Sequence, residues 1–148
     1  MNFHVFSRQN ANKYAHTMHE YTSAMISIAD TDKENINIVP SAENNVRSFL
    51  LLKFDDVDIG SHLPHEIPIS DEQAAQIVNF VTANKDKVDC FVVNCEAGVS
   101  RSAGCCAAIM LALTGSDKEI FNNPTKCPNM TVYRKVLNAF VEAGYFDN

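Results

Sequence analysis

The run Phe91-Val92-Val93-Asn94-Cys95-Glu96-Ala97-Gly98-Val99-Ser100-Arg101-Ser102 constrains this chain more than any other. Its first residues are apolar enough for a central strand of a parallel sheet. Ala103 to Leu113 follow as a helix of small residues. Strand, short loop and helix is the layout that aims backbone N–H groups at a phosphate. A cysteine inside such a loop is a candidate nucleophile, and an arginine at its far end can grip two phosphate oxygens.

Length and composition bound what surrounds this run. The 148 residues suit one domain with a real core, so 1–148 is read as a single catalytic unit. No apolar run approaches the roughly 18–20 residues of a membrane-spanning helix, and no membrane association is expected. Met1 to Phe6 lacks the basic start and long apolar stretch of an export signal. Five cysteines without a C-x-x-C pair then point to reduced thiols and a cytoplasmic location. The net charge of −6 argues against nucleic acid or an anionic membrane as the main partner.

Along the chain, helical and strand patterns alternate. Phe3 to Phe6 reads as a first strand, with Ser7 capping a helix to about Glu20. Ala24 to Ile28 and Ser48 to Phe54 are strong strands, and Ile36 to Val39 is a short strand or connection. Asp55, Asp56 and Asp58 form an acidic cluster, followed by a loop over Gly60 to Pro68. Ser70 with Gln73, and Ser116 with Glu119, have capping-box spacing for a helix to about Lys85 and for a short later one. Val88 to Asn94 is a third strong strand. Asn122 to Asn129 is loop, and Val132, Val136, Leu137, Phe140 and Val141 mark a last amphipathic helix. The expected fold is α/β, a mainly parallel sheet of four to five strands flanked by helices. In such sheets ligands sit at strand carboxyl ends, where Asp56 and Cys95 both fall.

These residues resemble the cysteine-dependent protein tyrosine phosphatase superfamily, in its small dual-specificity form. The match is Cys95, five residues, then Arg101 and Ser102. Leu52-Lys53-Phe54-Asp55-Asp56 is similar to the family's strand ending in the general-acid aspartate. Pro128-Asn129-Met130-Thr131-Val132-Tyr133 resembles its Pro-Asn helix start. The family usually carries histidine before the nucleophile, where this chain has Asn94. That histidine supports loop geometry and a low cysteine pKa, so the resemblance implies a weaker thiolate here.

The resulting expectation assigns each residue a task. Cys95 attacks phosphorus, with a thiol pKa lowered by loop amides, the helix N-terminus and Arg101. Arg101 holds two phosphate oxygens. Glu96, Ala97, Gly98, Val99 and Ser100 contribute mainly backbone N–H groups to phosphate, Gly98 permitting close approach or positive φ. Ser102 donates to the Cys95 sulfur and eases its departure; as an alternative it is a plain first-turn or N-cap serine. Asp56 protonates the leaving oxygen and then activates water. Alternation along Leu50, Leu52 and Phe54 sets Asp56 and Asp55 on opposite sides, and the resemblance favours Asp56. A solvated acidic turn is the competing account of the cluster.

The other cysteines read as structural. Cys90 lies roughly 16 Å from Cys95 along one strand, too far for a disulfide. Cys105 and Cys106 fall along the helix, and Cys127 lies in a loop. His16 and His19 stand three apart on the first helix and His62 and His65 in a loop, too few ligands for a metal site. No cofactor is required. The expected substrate is a phosphorylated protein, with phosphotyrosine first and phosphoserine or phosphothreonine beside it. The rivals are a lipid or RNA phosphatase and a phosphoprotein-binding pseudo-phosphatase. Residues 96–100 lack the lysine or arginine that would meet extra phosphates.

Overall fold

Strands of period two sort their side chains onto two faces, and that sorting builds the layers of this molecule. In the computed structural model, residues 1–36, 38, 40–57 and 63–147 are described. Four strands, β1 (Asn2–Ser7), β2 (Ser23–Ala29), β3 (Val46–Lys53) and β4 (Cys90–Cys95), form an all-parallel sheet in the order β1-β4-β2-β3. The helices are α1 (Arg8–Ala15), α2 (Asp71–Asn84), α3 (Arg101–Thr114), α4 (Lys118–Phe121) and α5 (Met130–Glu142). The central strands β2 and β4 are buried at every residue, as expected of near-continuous apolar runs covered on both faces.

Ala24, Ile26, Ile28, Phe91, Val93 and Cys95 point to one side and join the main core with α2, α3 and α5. Met25, Cys90 and Val92 point to the other and meet Ala11 and Ala15 of α1, with Ile38 and Val46. Each fully buried phenylalanine, such as Phe54 or Phe91, contributes about 1.5–3 kcal/mol of apolar transfer. Helix α3 is buried from Arg101 through Met110. Its small residues let it approach closely: a Cβ on Gly104 would lie 2.4 Å from the Asn129 carbonyl oxygen.

The local signals mostly act as the residue types dictate. Ser7 caps α1 by accepting from the Asn10 amide. Ser70 and Gln73 form the full capping box of α2, and Gln73 Nε2 also donates to Lys53 O at 2.8 Å, tying α2 to the end of β3. Gly115, at φ +83°, closes α3.

Three local expectations are corrected. Helix α1 stops at Ala15 rather than near Glu20; Asn44 Nδ2 donates to Ala15 O at 3.0 Å, and His19 leaves the helix to stack on Tyr14 with ring centroids 3.6 Å apart. His16 and His19 therefore do not share a helix face. Ser116 and Glu119 make no capping box: α4 begins after Asp117, which gives no side-chain cap, and Ser116 Oγ accepts from the Lys118 amide instead. Ile36 and Ile38 lie in a connection, Ile38 buried against β2, while Asn37 and Val39 fall outside the described residues. Asp58, Gly60 and His62 also fall outside them.

Candidate active site

The carboxyl ends of all four strands converge on one edge of the sheet, and each delivers a polar residue there. Arg8 follows β1, Asp30 follows β2, Asp55 and Asp56 follow β3, and the Cys95–Arg101 loop follows β4. This is where an open parallel sheet exposes strand ends and helix N-termini to a ligand.

The loop turns tightly around its cysteine. Gly98 adopts φ +71°, and a Cβ there would lie 2.5 Å from the Ser7 nitrogen, so conformation and space both require glycine. Cys95 is 2% exposed. Its sulfur lies 3.0 Å from Ser102 Oγ and accepts from the Ser102 amide at 3.4 Å. Burial pushes this thiol up, but the Ser102 hydroxyl, the Ser102 and Gly98 amides and the Arg101 charge outweigh it and bring the pKa below the ordinary thiol value. Burial moves Cys105 well up and Cys106 up to about 12, and all five cysteines are free. Cys90 and Cys95 sit on opposite faces of β4. The neighbouring Cys106 and Cys95 add to the upward push on Cys105.

Arg101 is buried rather than on the surface. Nη1 donates to Phe54 O at 2.8 Å and pairs with Asp30 Oδ1 at 2.7 Å, while Nε is buried with no partner among the described residues. An unpaired buried donor of this kind costs free energy until an acceptor arrives. The N-terminus of α3 has no side-chain cap either, and its first-turn Ser102 amide is directed at the Cys95 sulfur. Ser100, which would cap it, instead donates to Asp56 Oδ1 at 2.9 Å.

The two neighbouring aspartates do different things. Asp55 accepts from the Thr31 amide and hydroxyl and from the Ile67 amide. Slight burial raises its pKa, but those bonds and the Arg101 charge bring it below the usual carboxylate range. It is a staple between β2, β3 and the segment before α2. Asp56 is exposed and receives Ser100 Oγ and, at 2.7 Å, Asn129 Nδ2. It lines a cleft of about 370 Å3 with Ser100, Cys127, Asn129 and Met130, and a second of about 380 Å3 with Asp30, Asp32, Asp55, His65 and Glu66. A larger groove of about 550 Å3 between α2 and α5 carries no cysteine, histidine or arginine and lies apart from this edge.

The segment before α5 straps the loop in place. Lys126 Nζ donates to Gly98 O at 2.6 Å, the Cys127 amide to Val99 O and the Asn129 amide to Ser100 O. Asn129 also caps α5 through its side chain, accepting from the Val132 amide at 3.0 Å. The structure thus brings Cys95, Glu96–Ser100, Arg101, Ser102 and Asp56 to one place. It adds Asp30, Lys126 and Arg8, which the sequence reading missed. Asp30 was findable as the first acid after the strand Ala24–Ile28; Lys126 and Arg8 carry no local signal.

No protein-family model and no curated protein sequence matches this chain. Solved structures do match. Human tyrosine phosphatase-like serine/threonine/tyrosine-interacting protein superposes with a TM-score of 0.55 at 20% identity, over 84% of this chain and 78% of that one. The chain has the fold of the small dual-specificity phosphatases. Human DUSP28 gives a TM-score of 0.52 at 16% identity over 95% of this chain and 92% of its own. PTPMT1 in complex with PI(5)P gives 0.52 at 18% identity, covering 82% and 78%. The dual-specificity phosphatase fold agrees with the expected α/β architecture, with four strands and all pairings parallel.

Proposed function

We propose that the protein is a cysteine-dependent phosphomonoesterase acting on phosphotyrosine in proteins, with phosphoserine and phosphothreonine as further substrates. The observation that carries this reading is Arg101: one nitrogen is locked by Phe54 O and Asp30, and a buried Nε beside the Cys95 loop has no partner among the described residues. A phosphate oxygen is the acceptor that guanidinium suits.

In the first step the Cys95 thiolate attacks phosphorus, the S–P bond forms and the ester P–O bond breaks. Asp56 gives its proton to the leaving oxygen. In the second step Asp56 takes a proton from water as the water oxygen bonds to phosphorus. The S–P bond breaks, inorganic phosphate leaves and Cys95 departs as thiolate, stabilised by the Ser102 hydroxyl. Arg101 and the amides of residues 96–100 hold the equatorial oxygens throughout.

The acids around the second cleft, Asp30, Asp32, Asp55, Asp56 and Glu66, favour a single phosphate over the several charges of a phosphoinositide or a 5′-triphosphate. The alternative is a phosphoprotein-binding domain with little turnover, favoured by the neutral Asn94 beside the nucleophile. Steady-state hydrolysis of an aryl phosphate separates them. Wild type should turn over and Cys95→Ser should not; activity surviving in Cys95→Ser would sink the cysteine mechanism. Phosphate binding by an inert wild type would establish the binding domain instead.

A further inference from the structure

Arg8 has no task in the chemistry above, yet it is tied to the site by three hydrogen bonds. Its backbone amide donates to Glu96 O at 3.1 Å, Nη1 to Asn94 Oδ1 at 2.5 Å, and Nη2 to Ile28 O. Asn94 is fully buried and uses its own amide on Ser27 Oγ at 2.8 Å and Ile26 O at 3.3 Å. Strand alternation causes this meeting: Cys95 faces the α3 side, so Asn94 faces the α1 side, where Arg8 begins the helix. The Arg8 guanidinium therefore joins the carboxyl ends of β4 and β2, while its backbone holds the loop.

Arg8 is half-buried, and its side chain reaches only neutral acceptors. Among the described residues no carboxylate lies within ion-pair distance of it. A cation drawn from water without a counter-ion is unfavourable unless an anion stands near. The charged and titratable groups near enough to act on it are Glu96, Cys95 and Asp30, with Arg101 opposing. Asp30 is already held by Arg101, and Glu96 is exposed, where solvent screens it. Of these three anionic groups the Cys95 sulfur is the buried one, and Arg8 brackets that residue: its Nη1 holds Asn94 Oδ1 and its backbone amide holds Glu96 O. Cys95 itself faces Arg101 and Cys105 from α3.

We propose that Arg8 is a positioning residue for Cys95: anchored by Asn94 and Ile28 O, it sets a fixed positive charge beside the loop that favours the thiolate. This deepens the phosphatase reading and rests on Cys95 being its nucleophile. The electrostatics agree in direction. Desolvation lowers the Arg8 pKa, and Glu96 and Cys95 raise it again; an anion that favours the cation is favoured by it in turn.

The test is the thiolate pKa of Cys95, read from the pH dependence of iodoacetamide alkylation of the Cys95 peptide by mass spectrometry. Arg8→Gln keeps an amide donor and removes the charge; it should raise that pKa by about one unit, the ordinary scale of a lost neighbouring charge. Arg8→Lys keeps the charge and should stay near wild type. The acid limb of kcat/KM should shift in parallel in each variant. A folded Arg8→Gln protein with the wild-type pKa overturns the proposal, and so does Arg8→Lys rising as far as Arg8→Gln. Should Arg8→Gln fail to fold, Asn94→Ala takes its place. Releasing the anchor should raise the pKa, and an unchanged value overturns the proposal. Alkylation needs no turnover, so an inert wild type would count against the phosphatase reading and leave this measurement standing.

Discussion

Cys95 and Ser102 sit 3.0 Å apart at the bottom of the loop, and that contact has two consequences under the proposed mechanism. The Ser102 hydroxyl stabilises the thiolate both before attack and as it departs. Ser102→Ala should therefore raise the alkylation pKa of Cys95 and slow the second step, so that rapid-quench kinetics show a burst of released alcohol followed by slow turnover. With the folded-state thiol below its ordinary pKa, kcat/KM should fall as pH drops through the Cys95 value. The aspartate pair divides in the same way. Asp56→Asn should lower kcat by about 100-fold, the usual scale for a lost general acid. Asp55→Asn should leave kcat near wild type and destabilise the fold by about 1–2 kcal/mol, the worth of charged hydrogen bonds to backbone amides. A carboxylate with a depressed folded-state pKa stabilises above its unfolded pKa and loses that contribution as pH falls through the folded one. Urea unfolding of Asp55→Asn should then show a weaker loss of stability on acidification than wild type. A large kcat loss in Asp55→Asn with full activity in Asp56→Asn would reverse the assignment.

Between elements, two glycines hold the site together. Gly98 lets the loop pass the β1–α1 junction, and Gly104 lets α3 pass the Asn129 carbonyl. Neither obstacle is a flexible side chain, so backbone has to move. Gly98→Ala adds the strain of a positive φ and should cost about 2–4 kcal/mol, with activity lost in whatever remains folded. Gly104→Ala should push the 126–129 strap away from the loop, lowering activity along with thermal stability. Ser70→Ala offers a contrast. It removes the capping-box hydroxyl of α2 far from the chemistry, and should cost about 1 kcal/mol without changing kcat. Calorimetry paired with aryl phosphate kinetics on the three variants separates loop geometry from general stability.

Taken as a whole, the molecule is acidic, with a net charge of −6, and its site concentrates cations at Arg101, Arg8 and Lys126 within an acidic rim. A small anion should gain most from that arrangement. Phosphate or vanadate bound at the loop should raise the melting temperature, by about 2.7 kcal/mol of stabilisation at a hundredfold excess over its Kd. The shift should vanish in Arg101→Met. A phosphotyrosine peptide should be hydrolysed faster than a phosphoinositide or a 5′-triphosphate RNA. The reverse order would reassign the substrate class.

Much of this is legible in the amino-acid sequence. The apolar runs of Ala24–Ile28, Ser48–Phe54 and Val88–Asn94 marked three strands, because a strand covered on both faces of a parallel sheet has to be apolar nearly throughout. The Cys95–Arg101 spacing placed the loop at a strand end, and Ser70 with Gln73 marked the start of α2. These are local signals, carried by neighbours in sequence. What failed was also local: His16–Glu20 kept helical composition but yielded to contacts with Asn44 and within the chain turn, and Ser116–Glu119 matched a cap that Asp117 displaced. The tertiary structure alone decided which distant residues meet. Asp30 comes to Arg101 across 71 positions, Asn129 to Asp56 across 73 and Arg8 to Asn94 across 86. No pattern in the sequence encodes such pairs, since they follow from parallel strands ending on one edge. The chain by itself determined a strand, a cysteine loop and a helix; the sheet order determined the charges that surround the cysteine.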